Sequence, residues 1–371
     1  MTRIFLLDID GVLLEPRGYR AALRGTIHRF TDSHLEVEEE TLEELERRGI
    51  SSEWDMAPLL LAAYWAEILS RQPIPDLPSD VASAASAISR QRTADVSRGF
   101  VVPEFALVSG QYPATTAFRA GSFPSIPNGL RRNLLTETRN VHLSRTTRTF
   151  QQFTLGSRQY AETYGLPAEF ESESLLRSHD TSNIDDKIRA VLRKSGHLAA
   201  ITSRPSRPPR ELAQSSVGYA PEAELALELV GMADIPLVAF GKLEYLAARE
   251  GLDPAALVKP SPFQALAGVL AAWTGQEWSS LQAADHWRRT GSLNGLFGRL
   301  PKTFEIIVVE DTMGGIHAVR AAAGILRSAG LEVGVRAIGL TSGSPAKASA
   351  FESAGVRHSR DWQALIDDLG L

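Results

Sequence analysis

Two aspartates close to the start of the sequence are the first residues whose type and spacing suit chemistry. Asp8 and Asp10 follow a continuous apolar run at residues 4–7, and Gly11 after them allows a sharp exit. A short run that is apolar on both faces predicts a buried strand of a parallel sheet, and ligands bind at the carboxyl ends of such strands. Because unpaired buried carboxylates are costly, the two acids predict a site; an acidic turn after a strand is the alternative interpretation.

Other polar residues are predicted at the same edge of the sheet. They end or directly follow further predicted elements, and they are Thr202, Lys259, and the neighbouring Glu310 and Asp311. The clearest of these elements is the apolar run at residues 304–309, which leads straight into two acids. Because the carboxyl ends of parallel strands converge on one edge, these side chains and the N-terminal aspartates can share one site.

This combination of side chains suits the transfer of a phosphoryl group. Asp8 and Asp311 offer hard oxygen ligands and soft ligands are missing, so the predicted cation is Mg²⁺ before any transition metal. The cation, a lysine, a hydroxyl and the backbone N–H groups after a strand make a cradle for phosphate. A carboxylate held against phosphorus can attack it and form an aspartyl phosphate. Asp10 lies on the same side of an extended strand as Asp8, so it can protonate the leaving group and later activate water.

The composition limits the other classes of function. At 371 residues the chain is long enough for two domains, and its 43% hydrophobic and 22% charged content is ordinary for a globular protein. A net charge of −5 gives no basic field for nucleic acid, and no segment approaches the length of an apolar membrane span. The lack of cysteine excludes disulfides and thiolate chemistry, and the N-terminus has no secretory pattern. We therefore expect a soluble cytoplasmic protein without nucleic-acid or membrane partners.

Two stretches with different patterns position the candidate residues. From residue 184 onward short apolar segments alternate with helical ones, which predicts an α/β fold with a doubly wound parallel sheet. The first strand is separated from the others by mostly helical sequence with a polar linker at each end. We therefore predict a core formed by residues 1–16 and 182–371, with a large, mostly helical domain inserted at residues 17–181. Residues 275–303 form a further insertion to which the sequence assigns no role.

Four motifs resemble the signature of the haloacid dehalogenase superfamily of phosphohydrolases. They are Asp8-Ile9-Asp10-Gly11-Val12-Leu13, the strand that ends at Thr202, Lys259 in Lys-Pro-Ser-Pro, and the acidic segment from Glu310 to Ile316. The resemblance covers residues 1–14 and 184–371. The Lys-Pro-x-Pro form is common among β-phosphoglucomutase-like members of the family. The inserted domain lies where that family carries a helical C1-type cap, and it is far larger than the compact caps of the subgroup.

The resemblance implies a role for each motif. Asp8 is then the nucleophile and Asp10 the general acid and base, while Thr202 and Lys259 hold phosphoryl oxygens. The backbone N–H groups at Gly11 are expected to contribute to the same cradle.

The resemblance also implies the ligands of the metal. Mg²⁺ is expected on Asp8, the Asp10 backbone carbonyl and Asp311, with Glu310 as a weaker ligand or an acidic neighbour. Ser203 is a further candidate for the phosphate cradle, through its hydroxyl or its N–H.

The predicted function is that of a Mg²⁺-dependent phosphatase acting on a small soluble phosphate ester. A phosphomutase of sugar phosphates, which shares the aspartyl-phosphate intermediate, is the first alternative. A catalytically inactive, phosphate-binding regulatory protein is the second. Dehalogenase and phosphonatase activities are disfavoured, because their family patterns lack an acid at the position of Asp10. The substrate, the cap residues that select it and the oligomeric state stay open.

Two arginines just beyond Thr202 are assigned a lesser role. Arg204 and Arg207 offer charge for an anion, but a solvated loop is the preferred interpretation, since prolines surround them.

Overall fold

The computed structural model describes residues 1–93, 100–108, 110–212, 217–293 and 295–370. The chain divides into two compact units, one formed by Met1–Pro16 with Asp180–Leu371 and the other by Arg17–His179. The division predicted from the sequence, at 181/182, lies two residues further along the chain than the observed return at Asp180. No helix among these residues has the length and apolar character needed to cross a membrane.

The first unit is organised around a parallel sheet. Within the described residues it has six strands in the order β5-β4-β1-β6-β7-β8, and every neighbouring pair is parallel. A separate antiparallel pair, β2 with β3, joins the end of the first motif to the return of the chain. In chain order the strands are β1 (Thr2–Leu7), β2 (Leu14–Glu15), β3 (Thr181–Ser182), β4 (His197–Ile201), β5 (Leu237–Val238), β6 (Thr303–Glu310), β7 (Glu332–Leu340) and β8 (Arg357–Ser359).

The central strand β1 brings its carboxyl end level with those of its two neighbours. Leu7 is in register with Ala200 of β4 on one side and with Val309 of β6 on the other. The residues that follow these three positions therefore meet at one edge of the sheet, where the sequence predicted the site.

The regular secondary structure of the second unit consists of helices within its described residues. Its longest helix is apolar on nearly its whole surface and packs in the centre of the unit's hydrophobic core. The helices are α1 (Gly18–Thr31), α2 (Glu39–Arg47), α3 (Glu53–Arg71), α4 (Val81–Gln91), α5 (Pro113–Arg119), α6 (Asn128–Leu135), α7 (Arg145–Leu155), α8 (Ser157–Tyr164) and α9 (Leu175–His179).

The helices of the first unit cover both faces of the sheet. They are α10 (Asp186–Ser195), α11 (Glu222–Leu229), α12 (Phe240–Glu250), α13 (Pro262–Thr274), α14 (Glu277–Thr290), α15 (Met313–Ser328), α16 (Pro345–Ser353) and α17 (Trp362–Leu369). Ile4 and Leu6 of β1 share a core with helices α12 to α15, whereas Phe5 and Leu7 share one with α10, α11 and α17. This alternation along β1 places a hydrophobic core on each side, and the predicted doubly wound parallel sheet is confirmed.

The segment at residues 275–303 belongs to the core of the first unit. Its main element is α14, and Leu281 and Ala284 of that helix are fully buried against α13 and its neighbours. Residue 294 of this segment lies outside the described residues. The insertion is therefore part of the layer that covers one face of the sheet.

Candidate active site

Asp8 is the first residue beyond the central strand, and its backbone continues the hydrogen bonding of the sheet. Its N–H donates to the carbonyl of Val309 at 3.0 Å, which fixes the residue beside the end of β6. The residue is 5% exposed. One carboxylate oxygen, Oδ1, accepts from the N–H of Ile9 at 2.8 Å, and Oδ2 contacts the Nζ of Lys259 at 2.8 Å. Both oxygens are thus oriented by donors before any ligand arrives.

Lys259 supplies the positive charge nearest to Asp8. Its Nζ lies 2.8 Å from Asp8 Oδ2 and donates to Glu310 Oε1 at 2.9 Å. Burial by itself lowers the pKa of this lysine, but Asp8 and Glu310 outweigh that effect and raise the pKa above its ordinary value. Lys259 is therefore a fixed cation that two acidic side chains share.

The sequence placed Lys259 after a strand of the sheet, and this is wrong. A short 3₁₀ turn at Pro254–Ala256 precedes the lysine, and α13 begins at Pro262 directly after it. The preceding strand, β5, ends at Val238, and Ala239 directly after it is the N-cap of α12. A whole helix therefore separates β5 from Lys259.

A glutamine holds the Lys259 loop against the sheet instead. Gln264, fully buried in the first turn of α13, accepts the N–H of Lys259 at 3.1 Å through Oε1. Its Nε2 donates to the carbonyls of Thr202 at 2.9 Å and Val238 at 2.8 Å. This residue was not predicted from the sequence, although a single amide in an otherwise apolar helical run was a usable signal.

Glu310 and Asp311 follow the end of β6, as the pattern predicted. Glu310 is fully buried, and the first turn of α15 lies directly against its side chain. A Cβ atom added to Gly315 would come within 1.7 Å of Glu310 Oε1, so only glycine fits at that position. The glycine of the fourth motif is therefore required by the close approach of the helix to the carboxylate.

Asp311 lies against the loop of the first motif. Gly11, which has a φ of +69°, approaches so closely that an added Cβ would be 2.5 Å from Asp311 Oδ2. The N–H of Gly11 donates to the carbonyl of Leu14 at 2.8 Å, because residues 9–14 form a tight loop. That N–H is therefore engaged within the loop, not directed at a phosphoryl group as predicted. The role of Gly11 in this geometry is to give room to Asp311.

Lys347, in the first turn of α16, contacts the acidic cluster and was not predicted from the sequence. Its Nζ donates to Asp311 Oδ2 at 2.7 Å. Nothing in the sequence around this residue distinguishes it from a surface lysine.

Three carboxylates crowd at this edge of the sheet. Asp8, Glu310 and Asp311 each offer an oxygen, and these oxygens lie within 4.8 Å of one another. Burial, and then the charge of Asp8, raises the pKa of Glu310 well above its ordinary value. The same two causes raise the pKa of Asp311 to about 6, against the opposing effect of Lys347. Three carboxyl groups thus meet only two lysine ammonium groups, those of Lys259 and Lys347, and this excess of acidic groups fits a divalent cation bound by hard oxygen ligands.

Asp10 is paired with Arg204, whereas Asp8 is paired with Lys259. Arg204 Nε donates to both of its carboxylate oxygens, at 2.9 and 3.0 Å, and Arg204 Nη2 donates to Oδ1 at 2.6 Å. The same Nη2 donates to Asp180 Oδ2 at 3.0 Å. Arg204 is 3% exposed, so its interpretation as part of a solvated loop is wrong, whereas Arg207 is exposed as expected. Sequence alone gave no sign of the pairing, because Asp10 and Asp180 are remote from Arg204 along the chain.

The loop of the first motif is fixed by contacts at its far end. The carbonyl of Val12 accepts from Trp362 Nε1 at 2.8 Å and from Asn183 Nδ2 at 3.3 Å. The N–H of Asn183 donates to the carbonyl of Leu13 at 2.9 Å. These bonds hold the loop that carries Asp10 and Gly11 in one conformation.

Thr202 is buried at the end of β4, and its hydroxyl accepts from the N–H of Arg204 at 3.2 Å. Ser203 beside it is exposed, and its contribution to a phosphate cradle stays a prediction. Of the residues predicted from the sequence, Asp8, Lys259, Glu310 and Asp311 form one contacting cluster. Thr202 joins that cluster through Gln264, and Asp10 forms the adjoining pair with Arg204.

Comparison with known proteins gives similarity only at the level of structure. No model of a known protein family and no curated protein sequence matches this chain. Phosphatase Tt82 from Thermococcus thioreducens is 14% identical, with 90% of this chain and 91% of that chain covered and a TM-score of 0.45. The 2-haloacid dehalogenase from Pseudomonas syringae pv. Tomato DC3000 is 12% identical, with 100% and 99% covered and a TM-score of 0.34. At these scores the functional assignment depends on the residues of the site itself.

Proposed function

We propose that this protein is a Mg²⁺-dependent phosphohydrolase that acts on a small soluble phosphate ester through an aspartyl-phosphate intermediate. One observation carries the proposal: a carboxylate at the end of the central strand shares a lysine with a second acid and lies beside a third. Under this proposal the chain is a member of the haloacid dehalogenase superfamily, close to its β-phosphoglucomutase-like subgroup. Residues 17–179 then correspond to an enlarged C1-type cap.

The charges of the cluster support the proposed cation. Three carboxylates, those of Asp8, Glu310 and Asp311, meet two ammonium groups, those of Lys259 and Lys347. Asp8 and Asp311 would hold Mg²⁺ together with the Asp10 backbone carbonyl, and Glu310 reaches the same region while it retains Lys259. When bound, the ion neutralises charge between the nucleophile and the phosphate.

The first half of the reaction belongs to Asp8 and Asp10. A carboxylate oxygen of Asp8 attacks phosphorus, and the bond from phosphorus to the ester oxygen breaks. Asp10 gives a proton to that departing oxygen, so the alcohol leaves neutral. Lys259 and the Thr202 hydroxyl hold the phosphoryl oxygens, with Ser203 as a further donor.

The second half returns Asp8 to its starting form. Asp10 takes a proton from water, and the water oxygen attacks the phosphorus of the aspartyl phosphate. The bond between phosphorus and the Asp8 oxygen breaks and inorganic phosphate leaves. Because the acid needed in the first half must act as a base in the second, the position of Asp10 matters in both.

The location and the partners of the protein are also part of this proposal. We place it in the cytoplasm, with a small molecule as its partner and neither nucleic acid nor membrane bound. The inserted unit would select the substrate, as a cap does when it closes over an active site.

A panel of phosphate esters tests the function directly. Phosphate release is measured with Mg²⁺ and with a chelator, and the Asp8→Asn variant is the matched control. We expect Mg²⁺-dependent release that is lost in the variant; full activity in Asp8→Asn contradicts the mechanism. An isomeric sugar phosphate in place of free phosphate identifies a phosphomutase. A lack of turnover across the panel, together with a co-purifying phosphorylated partner, supports the inactive regulatory protein.

A further inference from the structure

Arg204 is a buried cation that the proposed reaction does not yet use. It lies two residues after Thr202, in the loop that leaves β4, and it is 3% exposed. Taking a guanidinium out of water is costly unless carboxylates and acceptors surround it. The residue therefore has a specific reason to be held at this position.

The carboxylates around Arg204 fix it from two sides. Asp10 receives three hydrogen bonds from Nε and Nη2, between 2.6 and 3.0 Å. Asp180, whose side chain is only 1% exposed, receives one from Nη2 at 3.0 Å. A guanidinium is planar, and several bonds to one carboxylate set the plane of that carboxylate as well as its distance.

The backbone of Arg204 is fixed together with its side chain. Its N–H donates to the Thr202 hydroxyl at 3.2 Å, and its carbonyl accepts from the N–H of Phe240 at 3.1 Å. The position of the guanidinium is thus tied to two strand ends, those of β4 and β5. Such a rigid support is what an acid–base side chain needs, since about 1 Å of misplacement in a catalytic group costs about 10²-fold in rate.

Arg204 holds Asp10, whereas Asp8 is held by Lys259. The Asp10 side chain is 33% exposed, and Arg204 holds both of its oxygens. A guanidinium has donors only, so both Asp10 oxygens accept from Arg204 and the plane of the carboxylate is set by that contact.

We propose that Arg204, backed by Asp180, is a positioning residue that orients the Asp10 carboxylate to take the proton from the attacking water. Arg204 then acts through Asp10 and mainly in the second half of the reaction, the hydrolysis of the aspartyl phosphate. This inference rests on the proposed function. It assigns Arg204 no contact with substrate, and it assigns Asp180 the task of holding the guanidinium.

Pre-steady-state kinetics with p-nitrophenyl phosphate separate the two halves of the reaction. The leaving group of this ester needs little help from an acid, so the release of the first p-nitrophenol reports on Asp8. Steady-state turnover also requires hydrolysis of the intermediate. In Arg204→Met we expect the burst rate to stay within about threefold of wild type, while steady-state turnover falls about 10²-fold, the usual contribution of a general base. Arg204→Lys, which keeps the charge, should recover part of the loss.

Measuring Arg204→Met in the Asp10→Asn background shows whether Arg204 acts through Asp10. If Arg204 acts only through Asp10, then Arg204→Met in that background adds less than about twofold to the loss. Arg207→Met is the matched control, because Arg207 is an exposed arginine of the same loop, and it should match wild type in both phases. The double variant Asp180→Asn with Arg204→Met avoids a buried unpaired carboxylate, so it keeps the test valid if the single variant fails to fold.

Three outcomes would overturn the inference by itself. Equal losses in the burst and in steady state would give Arg204 a general structural role. Independent, multiplied losses in the Asp10→Asn background would show that it acts by another route. Asp8-dependent turnover that is unchanged in the Arg204 variants would refute the inference and leave the proposed function standing. If wild type shows no Asp8-dependent release at all, the proposed function and the inference fail together.

Discussion

Two clusters of buried charge lie in the same unit of this protein, and they are balanced differently. Around Lys242, which is 1% exposed, Glu277 and Glu224 lie 3.1 and 3.2 Å from its Nζ. Arg210 adds a second cation, with its Nε 3.1 Å from Glu277. Two acids therefore meet two bases, and each buried charge has an opposite partner.

The cluster at the carboxyl ends of β1 and β6 has an excess of acid. Three carboxylates share two lysines there, and the pKa values of Glu310 and Asp311 are raised by burial and by Asp8. Buried charges without an opposite charge in the protein are destabilising. They are typical of sites where a ligand supplies the opposite charge.

The balanced cluster has a structural task. Glu277, at the start of α14, accepts the N–H groups of Arg210 at 2.9 Å and Leu237 at 3.0 Å in addition to its contact with Lys242. It thus ties the segment after β4 and the strand β5 to the insertion at residues 275–303. The difference in balance distinguishes a region that stabilises the fold from the region proposed to bind a cation.

The largest expected effect is on catalysis at the acidic cluster. Replacing Asp8 by Asn would remove the proposed nucleophile, so turnover of any substrate ester should fall by at least about 10⁴-fold. The free energy of unfolding, measured by urea titration, should change little by comparison. Wild-type turnover in Asp8→Asn would contradict the assignment of the acidic cluster as the catalytic site.

The balanced cluster should respond in the opposite way. Lys242→Met removes the ammonium group from beside the buried Glu277 and the half-buried Glu224, and we expect a loss of about 3–5 kcal/mol in the free energy of unfolding. Turnover per folded molecule should stay near wild type. Lys187→Met, at an exposed position, is the control and should change stability by less than about 0.5 kcal/mol. A Lys242 variant that is stable but inactive would contradict the structural assignment.

Magnesium should stabilise the acidic cluster alone. At about one hundred times its dissociation constant, Mg²⁺ should raise the free energy of unfolding by about 2.7 kcal/mol, because it binds the folded protein only. Asp311→Asn should abolish most of this gain, and Lys242→Met should retain it. Equal gains in wild type and in Asp311→Asn would place the cation elsewhere.

The smallest effect is the dependence on pH. The pKa of Asp311 is raised from 3.8 to about 6, so the folded protein binds this proton more tightly than the unfolded chain does. Without a cation, this group therefore makes the protein less stable as the pH rises from about 4 to about 6. Since Mg²⁺ competes with the proton, its affinity at pH 5 should be about tenfold weaker than at pH 7. Calorimetric titration of the wild type with Mg²⁺ at both pH values checks this, and equal affinities at pH 5 and pH 7 would contradict it.

Much of the site could be predicted because its residues follow a local pattern. An apolar run that stops at an acid marks Asp8, and the same pattern marks Glu310 and Asp311. Strand order and the doubly wound sheet then bring these acids together, since parallel strands end at one edge.

The rest depends on contacts that no local pattern records. Arg204 looks like a loop arginine among prolines, and its burial is set by Asp10 and Asp180, which are distant in sequence. Gln264 reaches two strands from a helix, and Lys347 comes from the far end of the chain. Lys259 was predicted for the right site from the wrong element, because its loop is held by a side chain and not by the sheet.

The most direct test of the central claim is chemical trapping of the intermediate. The protein is mixed with Mg²⁺ and a phosphate ester that it turns over, reduced with borohydride, digested and analysed by mass spectrometry. An aspartyl phosphate is reduced under these conditions, so the account predicts homoserine at position 8, only when both Mg²⁺ and ester are present. Turnover with a modification at any other residue, or with position 8 unmodified throughout, would contradict it.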